Sequence, residues 1–108
     1  MSDLLDRMKS FEKKYALDAE KAFKLEARAC KKLGLAIAAK LGKIGPDADA
    51  YAMDVVTSNL EEAGFNDVIR KVRADLDAAN LQDIDNAKLE AMLVTHMEEA
   101  AKELASAA

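Results

Sequence analysis

The sequence is poor in what an all-β fold or a catalytic centre needs. It has no tryptophan, aromatics make up 5% of its 108 residues, and it holds only 4 glycines and 1 proline. Sandwiches and small barrels draw heavily on β-branched, aromatic and turn residues, so this composition argues against them. A lone cysteine, Cys30, allows no internal disulfide and suits a reducing compartment. With a single histidine, His96, it cannot close a zinc site. No apolar run approaches the roughly 20 residues of a membrane-spanning helix. The opening Met1-Ser2-Asp3-Leu4-Leu5-Asp6 is acidic and lacks the basic start and apolar core of a secretion signal. A cytoplasmic chain without membrane insertion is expected.

What is present points to helices. Hydrophobic residues are 51% and charged residues 33%, enough for one buried core and too apolar for an acidic tail. Ala, Leu, Lys, Glu and Asp dominate, the composition of a helical bundle. The net charge of −4 is unevenly spread. Residues 1–43 carry 11 Lys/Arg against 6 Asp/Glu, whereas residues 44–108 carry 5 against 14. Such asymmetry fits either a charged partner for one end or a basic first helix lying on acidic ones. Nucleic acid is disfavoured, because Glu12, Asp18, Glu20 and Glu26 interrupt the basic residues.

Periodicity predicts four helices. Helix one covers 18–41, with Asp18 near its start and a stripe of Phe23, Ala27, Cys30, Leu33, Ile37 and Leu41. Gly34 inside it costs ~1 kcal/mol against Ala, which suggests a close helix crossing. Gly42 or Gly45 ends the helix, and Pro46 with Asp47 starts the next. Helix two is expected over 47–63 with Met53, Val56 and Leu60 inward, closed by Gly64. Asn66 should cap helix three over 67–79, facing inward through Ile69, Val72 and Leu76. After an Asn80–Asp83 joint, Asp83 or Asp85 caps helix four, with a stripe of Leu89, Met92, Leu93, His96, Met97, Ala100 and Leu104.

The segment ahead of helix one, positions 1–17, stands apart. Leu4, Met8, Phe11 and Tyr15 are spaced 4, 3 and 4, which puts them on one helical face. A bundle of four helices does not need them, and an isolated helix of this length is marginal in water. Two readings are open: a flexible or extended segment that becomes helical against a partner, or a backward extension of helix one over the core. The expected organisation is an amphipathic segment over 1–17 and an all-α four-helix bundle over 18–108.

No constellation in the sequence carries chemistry. Gly34 and Gly42-Lys43 lack the spacing, the following Ser or Thr and the preceding strand of a phosphate loop. His96 lies on the stripe of helix four and reads as a core or boundary residue, and Cys30 as buried and inert. Glu61-Glu62 and Glu98-Glu99 point in different directions on a helix and make no paired-acid site. No catalytic residue, metal or cofactor is expected. From the residues alone the chain reads as a helical interaction module.

An ordered series of short motifs adds to this. Arg7-Met8-Lys9-Ser10-Phe11-Glu12-Lys13-Lys14-Tyr15-Ala16 is followed by Phe23-Lys24-Leu25-Glu26-Ala27-Arg28. Leu33-Gly34-Leu35, Leu41-Gly42-Lys43, Asp47-Ala48-Asp49-Ala50-Tyr51-Ala52 and Glu61-Glu62-Ala63-Gly64 continue it, and Arg70-Lys71-Val72-Arg73-Ala74-Asp75-Leu76-Asp77 is the most distinctive. Over roughly residues 3–80 the series resembles the zeta subunit of alphaproteobacterial F-type ATP synthases, an inhibitor of ATP hydrolysis formerly catalogued as a domain of unknown function. It departs from that family at Leu17, Cys30-Lys31-Lys32 and Ala36, and the stretch 84–108 matches only as an amphipathic helix.

The resemblance implies a four-helix bundle carrying an N-terminal inhibitory segment that enters a catalytic interface between alpha and beta subunits of the synthase head, with gamma as an open third partner. It would place the protein in the cytoplasm, peripheral to the inner membrane when bound. Arg7, Phe11, Glu12, Lys14 and Tyr15 fall on the family's inhibitory motif, and the apolar face adds Leu4 and Met8 as partner contacts. The alternatives are a bundle that holds ATP or ADP weakly through Arg28, Lys31, Lys32 and Arg73, without a glycine-rich cradle, or a structural adaptor without inhibitory activity.

Overall fold

A computed structural model describes residues 19–61 and 65–107 of the chain. They form four helices: α1 (Ala19–Lys40), α2 (Pro46–Glu61), α3 (Asn66–Ala78) and α4 (Asn86–Ala107), with no strand among the described residues. α1 is central. It packs along α2 on one side and α4 on the other, α3 lies against α2, and α3 meets α4 more sparsely. Positions 1–18, which include the expected cap Asp18 and every expected partner contact, lie outside the described residues, as do Gly64 and the side chain of Leu60.

The joints follow from local chemistry. At the end of α1, Gly42 adopts φ 79°, which costs glycine little. There the Lys43 amide donates to the Ala38 carbonyl (2.9 Å) and the Gly42 amide to Ala39 (3.1 Å), satisfying two carbonyls the helix end leaves open. Pro46 then occupies the first position of α2, where its missing N–H costs nothing, and Asp47 and Asp49 sit in the positive first turn. The end of α3 repeats the closure with Asn80 at φ 59°, as Leu81 donates to Leu76 (2.9 Å) and Asn80 to Asp77 (3.0 Å). Asp85 caps α4, its Oδ1 accepting from the Lys88 amide at 2.8 Å.

The start of α3 differs from expectation. Phe65, not Asn66, occupies the cap position, at φ 70° and without a side-chain cap bond, and Asn66 is already helical. A left-handed non-glycine residue costs roughly 1–2 kcal/mol. The Phe65 ring is fully buried, and such burial is worth about 1.5–3 kcal/mol, so packing outweighs the cap.

Cys30, Leu33, Ile37, Val55, Phe65, Val72, Leu76, Ile84, Leu89, Leu93 and Met97 form the heart of one continuous core. The expected stripes of α3 and α4 hold at Val72, Leu76, Leu89, Leu93, Met97 and Ala100, although Val68 takes the fully buried place expected of Ile69. In α1 the buried arc is wider than the expected stripe, and in α2 it is rotated from it. Phe23, expected inward, is 52% exposed, and Ala22, Leu25 and Ala29 are buried instead. Met53, also expected inward, is 55% exposed, and Tyr51, Ala52 and Val55 face the core. A helix between two neighbours buries the arc that faces both, and in α1 that wide arc keeps Cys30, Leu33 and Ile37 of the expected stripe while adding Ala22, Leu25, Ala29 and Ala38.

Gly34 does what its cost suggested. A Cβ there would lie 2.6 Å from the Ala52 Cα and 3.3 Å from the Val55 Cβ. The two helix backbones meet at this point and only hydrogen fits between them.

Candidate functional site

The packing of α1 and α2 leaves an outward strip with its own character. Ala27, Arg28, Lys31, Lys32 and Leu35 recur along one side of α1, and Met53 and Val56 flank them from α2. With Glu103 of α4 they line an open groove of about 490 Å³. Its floor is apolar: Leu35 is 37% and Met53 55% exposed.

Its rim is basic. Arg28 Nη1 donates to Glu103 Oε1 at 3.1 Å and Lys32 Nζ to Glu103 Oε2 at 2.7 Å, tying α1 to α4 across the groove. The Lys32 bond first, and then the Arg28 bond, hold the Glu103 carboxyl below the usual carboxylate range. This bridge realises, at one point, the pairing of a basic first helix with an acidic later one. Lys31 has no carboxylate within salt-bridge distance among the described residues, so the rim carries more positive than negative charge.

A second cluster joins α2 to α3. The Tyr51 hydroxyl donates to Asp75 Oδ2 at 2.8 Å, and Lys71 Nζ reaches the same oxygen at 3.2 Å. The Lys71 ammonium also stands 5.1 Å from the centre of the Tyr51 ring. Burial, and then the bond to Asp75, push the Tyr51 phenol well above its ordinary range. Farther along α3, the Arg73 guanidinium binds Asp77 and donates to the Ile84 and Leu81 carbonyls of the α3–α4 joint. Arg70 meets Asp67 at 2.6 Å. Within Arg70–Asp77, the most distinctive stretch of the sequence, Asp75 ties α3 to α2 and Arg73 ties it to the α3–α4 joint, whereas Arg70 and Asp77 each pair within the helix itself.

The four residues weighed as phosphate contacts separate. Arg28, Lys31 and Lys32 share the groove, and Arg73 is taken by the α3–α4 joint. Leu4, Arg7, Met8, Phe11, Glu12, Lys14 and Tyr15 all lie outside the described residues. His96 is a boundary residue whose Nδ1 is 3.1 Å from Glu99 Oε1. Cys30 is fully buried, and burial followed by the charge of Glu26 pushes its thiol up to about 12, away from nucleophilic or metal-binding character. Among the described residues no group of three or more His, Cys, Asp or Glu is placed to hold a metal ion, and no helix is long and apolar enough to cross a membrane.

Compared with known proteins, residues 1–103 match the family model described as ATPase inhibitor subunit zeta. Comparison with curated proteins and comparison with solved structures give no match. The matched span takes in the segment 1–17 as well as all four helices down to Glu103.

Proposed function

Because the chain belongs to the ATPase inhibitor subunit zeta family, we propose that it restrains ATP hydrolysis by an F-type ATP synthase through its N-terminal segment, positions 1–17, which wedges into a catalytic interface between alpha and beta subunits. The observation that carries this reading is the 4, 3, 4 spacing of Leu4, Met8, Phe11 and Tyr15 ahead of a bundle whose four helices share a core of their own. An apolar face that its own bundle does not require suits burial against a partner.

The mechanism is steric. An interface that must open and close in each catalytic cycle stops when a helix fills it, and no bond is made or broken. Four anchors at ~1.5–3 kcal/mol each supply about 6–12 kcal/mol. Ordering a dozen residues costs about 1–2 kcal/mol apiece, which is as much or more. Arg7, Lys13 and Lys14 then add charge pairs with acidic partner surface, and the bundle must add a contact of its own.

Deleting residues 1–17 tests the reading. The truncated chain is expected to keep most of the bundle's helical circular dichroism and to lose inhibition of the purified synthase head. Inhibition unchanged by the deletion would refute the role of the segment.

A further inference from the structure

We propose that the groove between α1 and α2 is the bundle's own docking surface, and that it takes an acidic, amphipathic helix of the ATPase presented beside the cleft that receives residues 1–17. This rests on the inhibitory reading above and supplies the second contact it requires.

Three observations converge on this face. Leu35 and Met53 lie exposed side by side at helix positions where a solvated side chain would serve the fold equally well. Arg28, Lys31 and Lys32 surround them on a chain whose net charge is −4, so the face is a basic island on an acidic protein and favours an acidic partner. Glu103 already engages Arg28 and Lys32, which leaves Lys31 as the cation that an incoming carboxylate meets first. Along α1 the face spans Ala27 to Leu35. From Ala27 to Leu35 the helix rises about 12 Å, room for about two turns of a partner helix.

The test uses full-length chains and the purified catalytic head of the synthase. Met53→Glu and Lys31→Glu alter exposed positions, and circular dichroism checks that both remain folded. Met53→Glu is expected to weaken binding to the head at least tenfold, whereas Met53→Leu leaves it unchanged. Lys31→Glu weakens it several-fold at low salt, with a deficit that shrinks as salt rises. Phe11→Ala is measured alongside. Wild-type affinity in both groove variants, with weakened binding by Phe11→Ala, overturns the docking face and leaves the inhibitory reading standing. Absence of binding by the wild-type chain overturns both. Tighter binding by Met53→Glu would assign the groove to the chain's own segment 1–17, and loss of self-association with unchanged affinity for the head would assign it to a second copy. Either result overturns the proposal.

Discussion

Gly34→Ala is the sharpest test of the packing. In an exposed helix interior the change would stabilise by about 1 kcal/mol, the propensity difference between the two residues. Here the new methyl would meet the Ala52 Cα at 2.6 Å, the Ala52 Cβ at 3.2 Å and the Val55 Cβ at 3.3 Å. The first contact is with backbone, which no rotamer change relieves, so α1 and α2 must move apart. Overpacking of this kind costs about 1–3 kcal/mol, at the upper end when backbone must shift. The balance is a net loss of about 1–2 kcal/mol, or roughly 5–15 °C in Tm for a domain of this size. Thermal unfolding followed by far-UV circular dichroism reads it. Adding Ala52→Gly should restore little, because it removes the 3.2 Å contact and leaves the 2.6 Å one. An equal or higher Tm for Gly34→Ala would refute the close crossing, and full rescue by Ala52→Gly would refute the backbone origin of the clash.

Other expectations rest on single groups. Tyr51→Phe removes the donation to Asp75 and should cost about 1 kcal/mol at neutral pH, read by urea unfolding. The native phenol ionises well above its ordinary 10.0, so the folded state keeps a proton that the unfolded state gives up. Stability should therefore fall as pH rises above about 10, by up to ~1.4 kcal/mol per pH unit, with a shallower slope in Tyr51→Phe. Arg73→Ala frees the Leu81 and Ile84 carbonyls and should cost about 1–3 kcal/mol, with faster amide exchange in the α3–α4 joint; unchanged exchange there would contradict its role. The Cys30 thiol, pushed up to about 12 and fully buried, should resist alkylation in the native state across the pH range where free cysteine becomes reactive, and react once urea unfolds the chain.

The fold was legible where local signals and packing agree. Gly42, Pro46 and Asp85 mark helix ends because local backbone and capping chemistry decides them, and the stripes of α3 and α4 are narrow enough to give the inward face to within a position. Reading failed where tertiary context decides. A helix wedged between two neighbours buries a wide arc whose edges spacing cannot give, so the periodicity points Phe23 and Met53 inward whereas both face solvent. Phe65 was invisible as a cap because its strained backbone is compensated only by burial of its ring. The groove was hidden for the same reason as Phe23 and Met53, since it exists only once the packing of α1 and α2 is known. Arg28, Lys31 and Lys32 were singled out by charge, but nothing in their spacing gives the Glu103 bridge, 71 residues away from Lys32. The role of Arg73 at the α3–α4 joint likewise depends on two carbonyls that no side-chain motif reveals.

The central claim is that Phe11 inserts between subunits of the synthase head. A photo-crosslinking residue in its place, in the full-length chain bound to the head during arrested ATP hydrolysis, measures this directly. The account predicts adducts to alpha and beta subunits that disappear when excess unmodified chain competes. Adducts confined to the chain's own helices, with hydrolysis arrested all the same, would contradict it.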